Sequence, residues 1–248
     1  MRMLLRLTWV EIKLFVREPI TMVFTFILPL VFLFVLGGIF KNTPHLEGTA
    51  WRGVKPMDFY TPAYIGLVIA SIGVIGLPVH LTGYRERGVL RRLRASPIPL
   101  WSIFGSQMIV SFLIAILGGI LLTIVALLVY DVRLPESPAL LIAAFVPSIL
   151  MFSAVGILLG AILPTTRAAQ GLGLILFIVM MLLSGCGPPP EMMTKTMQWV
   201  GDATPLRYVV GLLQDPWLGF GWNMPYFLIV TGIMVVASLL SVRFFRWE

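Results

Sequence analysis

The chain has 248 residues, 58% of them hydrophobic and 12% charged, and its mean hydropathy of +0.97 excludes a water-soluble globular protein. The formal net charge of +7 rests on few ionisable groups, so it reads as a membrane-topology signal and not as a nucleic-acid-binding surface. A single cysteine, Cys186, excludes an intrachain disulfide; it reads as a free thiol near the outer end of the fifth span, the other reading being an intermolecular bridge.

Residues 1–19, MRMLLRLTWVEIKLFVREP, interleave Leu4, Leu7, Ile12, Phe15 and Val16 with Arg2, Arg6, Glu11, Lys13 and Arg17. That pattern predicts an amphipathic helix lying on the membrane surface and ended by Pro19; a helical extension of the first span is the alternative. The apolar run that follows is too long, and lacks the small-residue cleavage site, for a removable signal, so it is expected to stay as a span.

Six spans are expected, at 20–40, 60–81, 103–130, 139–163, 171–187 and 225–242. A span needs about 20 apolar residues to cross roughly 30 Å of hydrocarbon. None of the six contains Asp, Glu, Lys or Arg, each of which costs about 2.5–3.5 kcal/mol at a span centre. In lipid the backbone groups have no water to bond, so the spans are helices and the fold class is all-α. Twelve of the basic residues fall on the side holding both termini and six on the other, which places both termini in the cytoplasm.

Between the second and third spans, residues 84–99 (YRERGVLRRLRASPIP) hold five arginines and one glutamate. On a helix, Val89, Leu90 and Leu93 share one face while Arg87, Arg91 and Arg94 line another, and Ser96-Pro97-Ile98-Pro99 stops it. An apolar ridge bordered by charges fits docking into a groove on a cytoplasmic partner; a solvated positive loop that only fixes topology is the alternative. After the fifth span, Pro188, Pro189 and Pro190 are expected to stop the helix, with short helices at 191–200 and 205–214. Thr204 is the expected N-cap of the second, with Pro205 at its first position. Met192, Met193, Trp199, Val209 and Leu213 make this stretch too apolar for a free loop. It is expected to dip back into the outer leaflet, against a packed external loop.

The sequence holds little chemistry. His45 and His80 fall on opposite sides of the membrane, His80 as an interfacial imidazole, and no Cys/His cluster has metal-binding spacing. Ser184 lacks the G-x-S-x-G context of a nucleophile. The spans carry no ionisable group to couple an ion gradient, and a G-x-x-x-x-G-K-[ST] phosphate loop is missing. Energy from ATP would have to come from another subunit. Scattered hydroxyls such as Thr25, Ser71, Ser111, Thr123, Ser148 and Ser153 suit a hydrophobic or amphipathic cargo, or simply bond their own helices. Gly156 and Gly160 permit close helix approach, within one subunit or across a dimer.

Glu86-Arg87-Gly88 followed by Leu90, Leu93, Arg94, Ala95, Ser96 and Pro97 resembles the coupling-helix signature of the ABC-2 type exporter permeases, including the daunorubicin and multidrug branch. Leu183-Ser184-Gly185 with Pro188 to Pro190, Thr204-Pro205-Leu206-Arg207-Tyr208, the leading surface helix and Pro29 inside the first span extend the resemblance over essentially the whole chain. Gly185-Cys186-Gly187 departs from it, many members carrying bulkier residues there. The resemblance implies one transmembrane domain over 1–248, comprising the surface helix 1–19, the six-span core 20–242, the coupling loop 84–99 and the re-entrant external helices 188–214. It implies a permease that is not an enzyme and binds no cofactor. Two ATPase subunits would carry ATP and Mg, and a second permease would complete a homodimer or heterodimer in the lipids of the cell (inner) membrane. Glu86, Arg87, Gly88, Leu90, Arg91 and Leu93 would couple to the ATPase; Pro188, Pro189, Pro190, Pro205 and Tyr208 would belong to the outer gate. The expected cargo is a drug, antibiotic or lipid-like compound. A polysaccharide or glycolipid exporter, and a non-transport scaffold or sensor that docks a cytoplasmic partner, are the alternatives.

Overall fold

The computed structural model describes residues 2–40, 50–89 and 100–244. Helix α1 (Arg2–Val16) is separated from the first span by Glu18, whose backbone is extended at φ −100° and ψ 94°. Pro19 then opens α2 (Pro19–Phe40), a position where its missing N–H has no helical partner to lose. The leading segment is therefore a helix of its own and not an extension of the span. Its buried side mixes polar and apolar residues, Thr8, Glu11 and Phe15, while Trp9, Val10, Lys13 and Val16 are exposed.

Pro29 does not break α2. It lacks the N–H that would bond the Thr25 carbonyl, and a π turn over Val23–Ile27 absorbs the mismatch. The same device recurs in α3 (Pro56–Glu86), where a π turn over Ile72–Gly76 accommodates Pro78. The two irregular segments are tied together, the Ser71 hydroxyl donating to that of Thr25 at 2.9 Å.

The chain continues through α4 (Leu100–Tyr130), α5 (Pro138–Ile162), α6 (Thr166–Leu183), the short α7 (Lys195–Asp202), α8 (Pro205–Leu218) and α9 (Met224–Phe244). No strand occurs among the described residues. Six helices, α2 to α6 and α9, are long and apolar enough to cross a membrane, in agreement with the six expected spans. Their ends differ in two places. Helix α3 runs past 60–81 to include Asp58, Arg85 and Glu86. Helix α6 begins earlier than expected and stops at Leu183, because Gly185 takes the left-handed region at φ +96°; the prolines 188–190 follow a turn already made.

The centre of the bundle is α3. Its whole membrane-length window is buried, whereas half or less of each other span is. It packs against α2, α4, α5, α6 and α8. Glycines allow the closest approaches: Gly156 of α5 faces the Gly73 carbonyl of α3, and Gly173 of α6 faces that of Val74. Gly160 lies against Leu81, so both α5 glycines serve packing within one chain. Ser111, Thr123 and Ser148 donate to carbonyls four residues back on their own helices, which removes them as free polar groups.

Beyond α6, the expected helix over 191–200 is a 3-10 turn at Pro190–Met192 followed by α7, which Thr194 caps through Met197 N at 3.4 Å. Thr204 stands at the N-cap position of α8, but its hydroxyl donates to the Gly201 carbonyl at 2.6 Å and does not cap. Helix α8 runs on to Leu218 and buries Leu206, Val209, Leu212, Leu213 and Trp217; α7 leaves Trp199 and Met197 exposed.

Candidate functional site

The face that holds both chain ends is organised by three consecutive residues in the last turn of α3, each tied to a different helix. Tyr84 donates its hydroxyl to the Glu11 carboxylate of α1 at 2.5 Å. Arg85 donates to the carbonyls of Ala161 (3.3 Å) and Leu163 at the end of α5. Glu86 accepts from the Thr166 amide at 2.9 Å and the Thr166 hydroxyl at 2.6 Å at the start of α6. A cation thus meets the carbonyl end of α5 and an anion the amide end of α6, the arrangement that helix dipoles favour. Thr165 completes the start of α6, accepting from Ala168 N at 3.2 Å. The turn between α5 and α6 is held from both sides by α3.

A second layer fastens α1. Glu11 lies with His80, Gln107 and Ser111 around a cavity of about 10 Å³, and burial is the main cause that raises its pKa. Glu18 is raised for the same reason; it accepts from the Thr21 hydroxyl at 3.2 Å and lies 3.6 Å from Nδ1 of His80. His80, expected at the interface, is buried.

Helix α3 ends by a glycine turn. Arg87 N reaches the Gly83 carbonyl at 3.1 Å, and Gly88 N the Arg85 carbonyl at 3.0 Å. Gly88 takes φ +65°, the left-handed conformation that ends helices and that side chains resist. Of the six expected coupling residues, Glu86 is exposed and bonds across to the start of α6, Arg87 is exposed and Gly88 makes the stop; Leu90, Arg91 and Leu93 lie outside the described residues. Beside this clamp a groove of about 550 Å³ is lined by Arg85, Glu86, Ile162, Leu163, Pro164 and Phe244.

At the opposite face the expected gate residues hold an elbow. Pro205 opens α8, Pro189 is buried and Pro188 exposed. The Tyr208 hydroxyl donates to the Asp202 carbonyl at 2.5 Å, and its ring meets Tyr226 edge-on at 5.5 Å. The elbow is pinned to α3: Tyr60 donates to the Gly187 carbonyl at 2.8 Å and Gln214 to that of Phe59 at 3.0 Å. Cys186 is free and fully buried 3.4 Å from the Ala63 carbonyl, and burial pushes its thiol up to about 12. A thiol so enclosed is out of reach of another chain. No group of three metal-binding side chains occurs among the described residues.

Sequence reasoning missed Glu11, Tyr84, Arg85 and Thr166 as partners. Two signals pointed to them: Glu11 shares the helical stripe of Thr8 and Phe15, and Pro164-Thr165-Thr166 is a helix-start pattern with no acid of its own in the first turn.

Comparison with known proteins adds a family. The model of the ABC-2 type transporter family matches residues 3–216. The chain is similar to the "Probable multidrug ABC transporter permease YbhR" of Escherichia coli K12, 27% identical over 179 residues, which are 69% of this chain and 48% of that protein. It is 26% identical over 194 residues to "Probable multidrug ABC transporter permease YbhS" of the same organism, 76% of this chain and 50% of that one. The chain therefore spans about half the length of these two relatives. YvfS of Bacillus subtilis is 22% identical over 232 residues, 93% of this chain and 92% of its own length.

Proposed function

Since the chain belongs to the ABC-2 type transporter family, we propose that it is the membrane permease subunit of an ATP-driven exporter, powered by a separate ATPase subunit and paired with a second permease. The observation that carries this reading is the run Tyr84-Arg85-Glu86. It stands directly before the arginine-rich segment and ties the end of the central helix to α1, α5 and α6. A push on that segment from a cytoplasmic partner would reach three helices through charge-assisted hydrogen bonds rather than through a free loop. Helix α6 then carries the displacement to the elbow at Ser184–Pro190, on the side read as external. On this reading Arg87, Leu90, Arg91 and Leu93 meet the ATPase, while Glu86 passes the movement inward. The permease holds no ATP site; ATP and Mg belong to the partner. The apolar, largely self-satisfied interior suits a hydrophobic or amphipathic cargo.

The test is reconstitution of the permease with its ATPase in proteoliposomes, as wild type and as Glu86→Arg. The variant places a cation at the amide end of α6, where the dipole opposes it. Insertion and expression are expected to persist while cargo export falls away from ATP hydrolysis. Normal export by the variant at wild-type expression would refute the coupling role, and absence of any associated ATPase would refute the exporter reading itself.

A further inference from the structure

Helix α1 has two faces with different uses. One packs on α4 and carries Thr8, Glu11 and Phe15. Glu11, the one acid in the helix, is held there by Tyr84. The other face carries Trp9, Lys13, Val16 and Arg17, whose spacing of i, i+4, i+7 and i+8 sets them in one stripe along the helix. All four are exposed, Trp9 by 59% and Val16 by 60% of their surfaces. Arg17 stands one residue past the helix but continues its last turn, its amide reaching the Leu14 carbonyl at 3.0 Å. Arg2 and Arg6 fall on the same stripe by their spacing.

Folding therefore sorts the charge of α1, taking its acid inside and leaving the open stripe basic. Lys13 and Arg17 make no ion pair among the described residues. Lys13 instead sets its Nζ 5.2 Å from the centre of the Trp9 ring. Glu18, the next acid in the chain, is engaged elsewhere, accepting from Thr21 and facing His80.

The place of the stripe in the fold says what covers it. Only Arg17 and Glu18 separate α1 from the first span, and that span exposes Ile20, Val23 and Ile27 from its first turns onward. The stripe thus stands at the end of a span, at the level of the lipid head groups. Indole rings settle at that level, and long basic side chains lay their stems along apolar surface there while their charges stay in the polar layer. Apolar and basic groups on one side of a helix match a surface that is apolar below and anionic above. Water alone would leave Trp9 and Val16 uncovered, and a leaflet of neutral lipid would leave the cations without counter-charge.

We propose that the exposed stripe of α1 binds anionic phospholipid, the head groups pairing with Lys13 and Arg17 while Trp9 and Val16 enter the apolar boundary. Anionic lipid is then gathered at the joint between α1 and the first span. The surface is drawn from α1 and its joint with the span and does not depend on the exporter reading.

The experiment uses the purified full chain in vesicles of phosphatidylcholine and phosphatidylglycerol, as wild type, Trp9→Phe and Lys13→Gln/Arg17→Gln. Either lipid is brominated on its acyl chains near the head group, and tryptophan quenching is measured; the difference between wild type and Trp9→Phe isolates Trp9, and Trp9→Phe in the double-variant background does the same there. A basic residue at an anionic surface is worth about fivefold in binding. Per mole of lipid, brominated phosphatidylglycerol is expected to quench Trp9 about tenfold more effectively than brominated phosphatidylcholine. The double variant should lose about fivefold or more of that preference, and so should the wild type in about 1 M salt, where the screening length falls to about 3 Å. Both substituted residues are exposed, and the salt arm on the wild type decides the matter should the double variant fail to fold. Equal quenching by the two lipids, or a preference untouched by both the substitutions and salt, overturns the proposal. Trp9 that neither lipid quenches but whose emission shifts when the ATPase binds would assign the stripe to a partner protein, and overturns it as well.

Discussion

Gly156→Ala is the sharpest probe of the packing that sets α3 at the centre of the bundle. A Cβ at this position falls on the Gly73 carbonyl oxygen and comes within 2.9 Å of the Leu77 Cβ. The principal obstacle is backbone, so no rotamer change relieves it, and α3 and α5 have to separate by roughly an ångström. Overpacking of this kind costs about 1–3 kcal/mol, against which alanine recovers about 0.5–1 kcal/mol of helix propensity over glycine. The net expectation is a loss of about 1–2 kcal/mol, which at about 2–4 °C per kcal/mol for a chain of this length lowers the Tm by several degrees. Gly232→Ala in α9 is the matched control, since its Cβ meets nothing within 4 Å. The assay is thermal unfolding of both purified variants in one detergent, followed by tryptophan fluorescence. If Gly156→Ala melts with Gly232→Ala, the close approach of α3 and α5 is not as described, and the central place of α3 loses its main support.

Two further outcomes follow from buried groups. Burial raises the Glu11 pKa above its ordinary value, so the stability it contributes is full below that ordinary value and is lost as pH rises through the raised one. Glu11→Gln keeps an acceptor for Tyr84 without the buried charge. Its unfolding temperature should vary less than the wild type's between about pH 4 and 8, Glu18 supplying the remaining slope; a profile parallel to the wild type's would contradict the burial argument. Cys186, enclosed and shifted to about 12, should resist maleimide in native membranes and react fully only after denaturation. Rapid labelling of the native protein would show the elbow after α6 to be open.

Much of the architecture was legible because hydropathy is a local property. The six spans and the break at Pro19 need only composition and proline chemistry, and four of the six spans match their helices to within three residues at each end. The turn at Gly88 was legible as a residue, though its role was not: it looked like part of a docking signature and is also the left-handed stop of α3. Glu86 illustrates the remainder. Its position beside the arginines suggested an outward contact, yet its carboxylate lies on Thr166, 80 residues away in the chain. Glu11 likewise looked like the polar side of a surface helix and is instead buried against Tyr84.

The sequence by itself determined that this chain is a six-span helical membrane protein with its charge gathered before the third span, because the cost of burying charge in hydrocarbon acts on each segment separately. Only the tertiary structure decided that α3 is the central helix and which helices its last turn holds. Spans that are apolar on every side carry no amphipathic stripe to announce their neighbours. Their partners are chosen by where two backbones can approach at glycine and where a few polar groups find each other across the fold, as Gly156 does with Gly73 and Glu86 with Thr166.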